Sequence, residues 1–277
     1  GSNNNAVGSS ALLDNLDGDN NNAMGSGALS NNIHGNNNNA VGSNALLANT
    51  DGDNNNAFGE SAPATNTSGT RNNAIGTNAL NANITGTDNN ALGYMALANN
   101  LGNNNNAIGS FALSTNTTGN YNVAIGYSSL NINSTGSNNT AVGGNALNLT
   151  TSDDNDAFGH NTLTLNTSGT LNVGLGKLAL FKNTTGNNNI AVGNTSLAGN
   201  ESGHNNISVG VNSMGSSSVS NNINIGSFAS NQAFDAGIGG FINLGTYDSG
   251  DQSVHVSNSL TIGNNAVVEV NQTNNIV

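Results

Sequence analysis

The 277-residue chain contains no cysteine, no tryptophan and a single proline, Pro63. Without cysteine there is no disulfide and no thiol nucleophile, a usage that fits an extracellular fibre as well as a cytosolic protein. Charged residues make up 6% of the chain and aromatic residues 4%, and only Arg71, Lys177 and Lys182 are positive. The formal charge of −12 argues against nucleic acid and anionic membrane as partners. No apolar run approaches the ~18–20 residues that span a bilayer, so membrane insertion is not expected. The chain opens on Gly1 with neither an initiator Met nor an apolar leader, and reads as a mature product or a fragment. So little bulky apolar material cannot fill a broad core, and composition alone would suggest disorder.

What is present overrides that suggestion. A glycine recurs from Gly8, Gly25 and Gly42 through to Gly193, Gly210 and Gly226, always 17 or 16 residues after the last. A fixed short period means a stack of identical units. Before each glycine stands a large apolar residue, here called Φ: Val7, Met24, Val41, Phe58, Ile75, Leu92, Ile108, Ile125 and onward to Ile225. Before Φ stands a small residue, Ala6, Ala23, Ala40 and so on. Small, large, small is the alternation of a short strand, with Φ on one side and Ala and Gly on the other. Five residues after Φ comes a Leu column, from Leu12 and Leu29 to Leu180 and Leu197, read as a second short strand. Pro63 occupies that place in the fourth coil and removes a ladder donor. Between the strands lies Asn-x-Thr-Gly, whose side chains and glycine are turn chemistry.

These columns predict an all-β parallel β-solenoid, or β-roll, of about fourteen 17-residue coils over residues 1–230. Equivalent asparagines would stack ~4.8 Å apart, giving a rod on the order of 65 Å long. In this reading Φ and Leu enclose a thin core, and the Ala/Gly column faces out as a seam along which three chains pack into a homotrimer. From Val123 onward the residue two before Φ also turns apolar (Val123, Val173, Ile190, Ile207, Ile223), so the later coils read as the more strongly built. The period fails after Gly226. Residues 231–277, with alternating segments at 237–245, 253–256, 259–263 and 267–270, read as a non-repeat β cap or connector.

The repeat, as in Asn122-Val123-Ala124-Ile125-Gly126 and Asn189-Ile190-Ala191-Val192-Gly193, resembles the head repeat of YadA-like trimeric autotransporter adhesins. The turns Asn116–Gly119 and Asn183–Gly186 are similar to the Asn-Thr-Thr-Gly repeats of phage tail fibres. The resemblance covers about residues 3–230. It implies a left-handed, trimeric β-roll outside the cell, on a virion tail fibre or a bacterial surface, that attaches to a cell-surface glycan or protein receptor. The 17-residue period is longer than is usual in adhesin heads, and the sequence carries no heptad stalk or membrane anchor.

Chemistry beyond this is sparse. Stacking would bring Asp17, His34 and Asp51 into one turn column and Asp19, Asn36 and Asp53 into the next. Solvated turn residues are one reading, and a calcium site at Asp17, Asp19, Asp51 and Asp53 is the other; no other cofactor is expected. Six turns spell glycosylation sequons, at Asn66, Asn83, Asn116, Asn133, Asn166 and Asn183, where turn chemistry is the simpler cause. No cysteine, no assembled Ser/His/Asp set and no paired carboxylates are in evidence, so an enzyme is not expected. Receptor contact falls on residues that break the repeat: Tyr94, Phe111, Tyr121, Tyr127 and Phe181. The expected function is a structural attachment fibre. The alternatives are an ice-binding solenoid, whose regular column would be Ser68, Thr85, Thr118, Thr135, Thr151, Ser168, Thr185 and Ser202, and a self-assembling extracellular filament.

Overall fold

The computed structural model describes residues 1–214, 218–229 and 242–244. It is a parallel β-solenoid of about fourteen coils, with no helix among the described residues. Each coil contributes one three-residue strand. The first five are β1 (Asn5–Val7), β2 (Asn22–Met24), β3 (Asn39–Val41), β4 (Asn56–Phe58) and β5 (Asn73–Ile75). The next five are β6 (Asn90–Leu92), β7 (Asn106–Ile108), β8 (Val123–Ile125), β9 (Thr140–Val142) and β10 (Asp156–Phe158). The last five are β11 (Val173–Leu175), β12 (Ile190–Val192), β13 (Ile207–Val209), β14 (Ile223–Ile225) and β15 (Ile242–Leu244). They form one sheet in chain order, every neighbouring pair parallel, Ala on Ala and Φ on Φ. Coils are numbered below by their strands.

Two of the sequence expectations are reversed. The Φ column points outward and the Ala column inward: Ala40, Ala57, Ala74 and their equivalents are fully buried, whereas Val7 is 61% and Ile75 46% exposed. The Leu column is not a strand. From Leu12 to Leu197 its residues sit at φ 49–52°, in left-handed turns. A second left-handed residue lies two positions before each of them, as at Ser10, Asn44 and Asn78. Tight turning on two left-handed residues makes the coil narrow, and beside one Leu and the asparagines the inside takes mostly Ala, Gly, Ser or Thr. The large Φ side chain is thereby excluded. Holding Leu left-handed costs ~1–2 kcal/mol, and burying its side chain fully returns ~2–3 kcal/mol. The backbone also gains, because Leu29 N–H donates to Ala45 O at 3.0 Å in the next coil and most other Leu positions do likewise. Pro63 has no N–H to give to Ala79 O, where Leu46 and Leu80 donate to Ala62 O and Ala96 O.

With the Ala column consumed inside each coil, the expected seam between chains along Ala and Gly does not exist. The strand glycines serve stacking within the chain instead. They lie at φ 130–146°, and a Cβ on Gly126 would come 2.7 Å from the backbone of Gly143.

The interior is also more polar than expected of a turn facing water. One Asn column, three residues before Φ, runs from Asn4 to Asn222 and is buried from Asn21 onward. The Oδ1 of Asn105 accepts the N–H of Asn122 at 3.0 Å, and Asn122 Nδ2 donates to Gly136 O at 2.8 Å. The second column, eight residues after Φ, bonds amide to amide: Asn49 Nδ2 donates to Asn32 Oδ1 and Asn66 Nδ2 to Asn49 Oδ1, both at 2.7 Å. Buried amides this well matched each contribute about 0.5–1.5 kcal/mol, whereas an orphan would cost ~1–3. The stacking of asparagines expected from the sequence is thus present, but its two largest columns lie within the coil.

Of the strand-like segments expected after residue 230, only 242–244 lies among the described residues. It pairs with β14 in the same parallel register, Ile223 on Ile242 and Ile225 on Leu244. The other expected segments, at 253–256, 259–263 and 267–270, lie outside the described residues, so the expected cap falls there almost entirely.

Candidate functional site

Because the coil interior is filled by Ala, Leu and Asn, chemistry that meets a partner has to sit on the outer columns. The strand face is the largest of these. Two side chains per strand point out from it, Φ and the residue two before it. Over the first seven coils the second column is asparagine, and Asn5, Asn22, Asn39, Asn56, Asn73, Asn90 and Asn106 form an exposed amide ladder with bonds of 2.7–2.8 Å. From β8 it becomes Val123, Thr140, Asp156, Val173, Ile190, Ile207 and Ile223. The apolar change read in the sequence at Val123 therefore lies on the outside of the later coils and not in their core.

The aromatic candidates divide. Tyr94, Phe111 and Tyr127 stand on three successive coils beside one edge of the strand face and touch edge to face, with centroids 5.3 Å and 6.2 Å apart. Tyr127 is 60% exposed. Tyr121 stands four residues before Φ, across the strand from Tyr127, and is exposed. Phe181 is half-buried in the turn after Leu180. Three of the five expected residues are brought together and two are not.

The acidic turns are absorbed into the stack. Asp19 Oδ1 accepts from Ser2 N–H and Ser2 Oγ, and Asp53 Oδ1 accepts from Asn36 N–H at 2.6 Å and Asn36 Nδ2 at 3.1 Å. The Ser2 backbone bond, with the Ser2 hydroxyl behind it, holds the Asp19 carboxyl below the ordinary carboxylate range. This column uses any side-chain acceptor in the same way: Asn103 takes Thr87 N–H, Asp153 takes Ser137 N–H and His204 Nδ1 takes Asn187 N–H. In the neighbouring column His34 Nδ1 lies 2.5 Å from Asp17 Oδ1. That bond, with the nearby charges of Asp17 and Asp51, raises the His34 imidazole above its usual range. Thr50 Oγ1 donates to Asp51 Oδ2 at 3.1 Å. Among the described residues no three His, Asp or Glu side chains gather where they could hold a metal ion. Arg71 forms a bidentate pair with Asp88 in the next coil, both bonds at 2.7 Å, which holds the Asp88 carboxyl low.

All six sequon asparagines, Asn66, Asn83, Asn116, Asn133, Asn166 and Asn183, are fully buried members of the second interior column. An oligosaccharide has no route to their amides in the folded chain. Beside the Thr and Ser column weighed for ice, the threonines one residue earlier spend their hydroxyls on the stack. Thr117 Oγ1 donates to Ser134 O at 2.7 Å and Thr184 Oγ1 to Glu201 O at 2.8 Å.

What the sequence reading missed is the orientation of the strand face. A signal was available in comparing coils with one another. The interior Asn column from Asn4 to Asn222 never changes type, while the column from Asn5 drifts to Val and Ile, as an outward position can. Compared with protein-family models and with curated proteins, the chain has no match.

Proposed function

We propose that this chain is the rigid repeat segment of an extracellular attachment fibre, of the phage tail fibre or bacterial surface adhesin kind, built from three copies. The observation that carries the reading is the unbroken row of large apolar side chains, from Val7 to Ile225, along the outer face of the strands. A soluble monomer rarely leaves so long an apolar patch open to water. Copies lying side by side would cover it and would stiffen a rod only one coil wide. The mechanism is mechanical and interfacial, with no bond chemistry. In-register backbone and amide ladders supply stiffness, and the row joins the chains. The ridge of Tyr94, Phe111 and Tyr127 stays at the edge of the face as a contact for a cell-surface glycan or protein receptor.

The test uses fluorescently labelled full-length chain on a panel of bacterial and animal cells and on a glycan array. Saturable binding that falls at least ~tenfold in Tyr94→Ala/Tyr127→Ala supports the reading, since exposed aromatic anchors dominate contact energies. Absence of saturable binding to every surface overturns attachment.

A further inference from the structure

We propose that copies of this chain are joined along the strand face and that coils 11–14 make the joint, the first seven coils adding little to it. The inference rests on the multi-chain fibre reading and assigns it a place. In coils 11–14 both outward positions of every strand are apolar: Val173, Ile190, Ile207 and Ile223 each stand beside their Φ neighbour, with Ile190 and Ile225 both about two-fifths exposed. The result is a flat block two side chains wide and four coils long, free of any charge or amide. In coils 1–7 the position beside Φ is the amide ladder. From Asn22 to Asn90 each of those Asn residues spends one N–H and its Oδ1 on the neighbouring coils and keeps a further N–H for water. A copy pressed against that half brings the same ladder, so water is stripped from two sets of amides at once and the gain from covering Φ is offset.

The occupant is a second copy for two reasons. A partner has to be flat and to repeat at the ~4.8 Å coil spacing, and another solenoid of this chain presents those two properties in register. Charge does not oppose it. The chain carries −12 overall, yet among the outward strand positions only Asp156 is charged, one coil before the block begins.

The experiment compares two full-length double variants by sedimentation. Ile190→Asn/Ile207→Asn places in the block the residue that the first seven coils already carry there, so the coil is expected to keep its fold, as circular dichroism reads. Ile75→Asn/Leu92→Asn makes an equal apolar loss in the first half. The expected result is a rise of about 100-fold in the concentration at which the block variant assembles, and less than ~threefold for the other. A second reading needs no such loss. Because the chain has no cysteine, Ile207→Cys and Ile75→Cys each introduce a unique thiol. At assembling concentrations the thiol at 207 is expected to react at least ~tenfold more slowly with a water-soluble thiol reagent than after dilution, while that at 75 changes little. Equal shifts in the two double variants, or equal protection at 207 and 75, overturn the divided seam while leaving a multi-chain fibre standing. A wild-type chain that stays monomeric at every concentration overturns the seam altogether. Block-specific dissociation combined with no cell or glycan binding keeps the seam and removes the attachment role.

Discussion

Single residues in this chain are selected by what the next coil offers them. Gly119 shows how tight that selection is: a Cβ there would lie 2.2 Å from Gly136 O and 2.4 Å from Asn116 Oδ1. Gly119→Ala is expected to lower stability by about 3 kcal/mol in denaturant titration, an overpacking that the backbone cannot relax away. Ser152 fills the same column and is tolerated because its own coil has Thr150 where others have Asn. Ser152 Oγ donates to Gly169 O at 2.6 Å and lies 3.0 Å from Thr150 Oγ1, standing in for an amide. The two positions are therefore coupled. Thr150→Asn alone should destabilise, and Thr150→Asn/Ser152→Gly should recover most of the loss, reproducing Asn100 and Gly102 three turns earlier; melting of both variants, with Ser152→Gly to complete the cycle, tests it. His34 gives the residue-scale test of pH. Its raised pKa means that the folded chain holds the proton more tightly than the unfolded chain. Its contribution is fully present below about 6.5 and fades as pH rises through the folded value. An imidazole titration by NMR should show a midpoint above 6.5 that returns toward it in Asp17→Asn.

At the level of the coil, the period, the parallel stacking and the strand at Ala-Φ-Gly were legible because repetition in phase is visible in letters alone. The inside was not. Small, large, small tells that the two sides of Asn122–Gly126 differ without telling which side is enclosed. The answer depends on coil width, which is set by left-handed Ser128 and Leu130. Nothing in the letters announces that a leucine will adopt a conformation that only a few per cent of non-glycine residues visit. Buried asparagines are equally hard to anticipate, since Asn is mostly an exposed residue. The short turns show the rule by breaking it. In coil 6 one residue is missing between Asn100 and Gly102; Asn100 Nδ2 keeps the bond to its turn carbonyl, Gly102 O, but not the bond to the preceding coil, and Asn83 Oδ1 is left without a partner. Pro63 is the other local fault. Pro63→Leu should restore a donor to Ala79 O and raise stability by about 1 kcal/mol, measured by the shift of the urea midpoint.

Among the described residues, stability is a sum over coils and their neighbours, with no strand paired beyond the adjacent coil. All of β1 is exposed in residues 1–277, including Ala6, whose equivalents are buried from Ala23 onward. Amide hydrogen exchange should accordingly be fastest in the first coil and slow inward over the next few. The same uniformity leaves folding with a counting problem. Every coil presents nearly the same donors and acceptors, so a nascent turn that settles one layer too early forfeits little that a local bond could detect. Features peculiar to one coil tell one storey from another, among them the proline at 63, the Arg71 and Asp88 pair, the Thr150 and Ser152 pair, and the clipped turns. Those blemishes are the page numbers of an otherwise unnumbered stack, and tidying them all to consensus should yield a chain that refolds into several mismatched lengths.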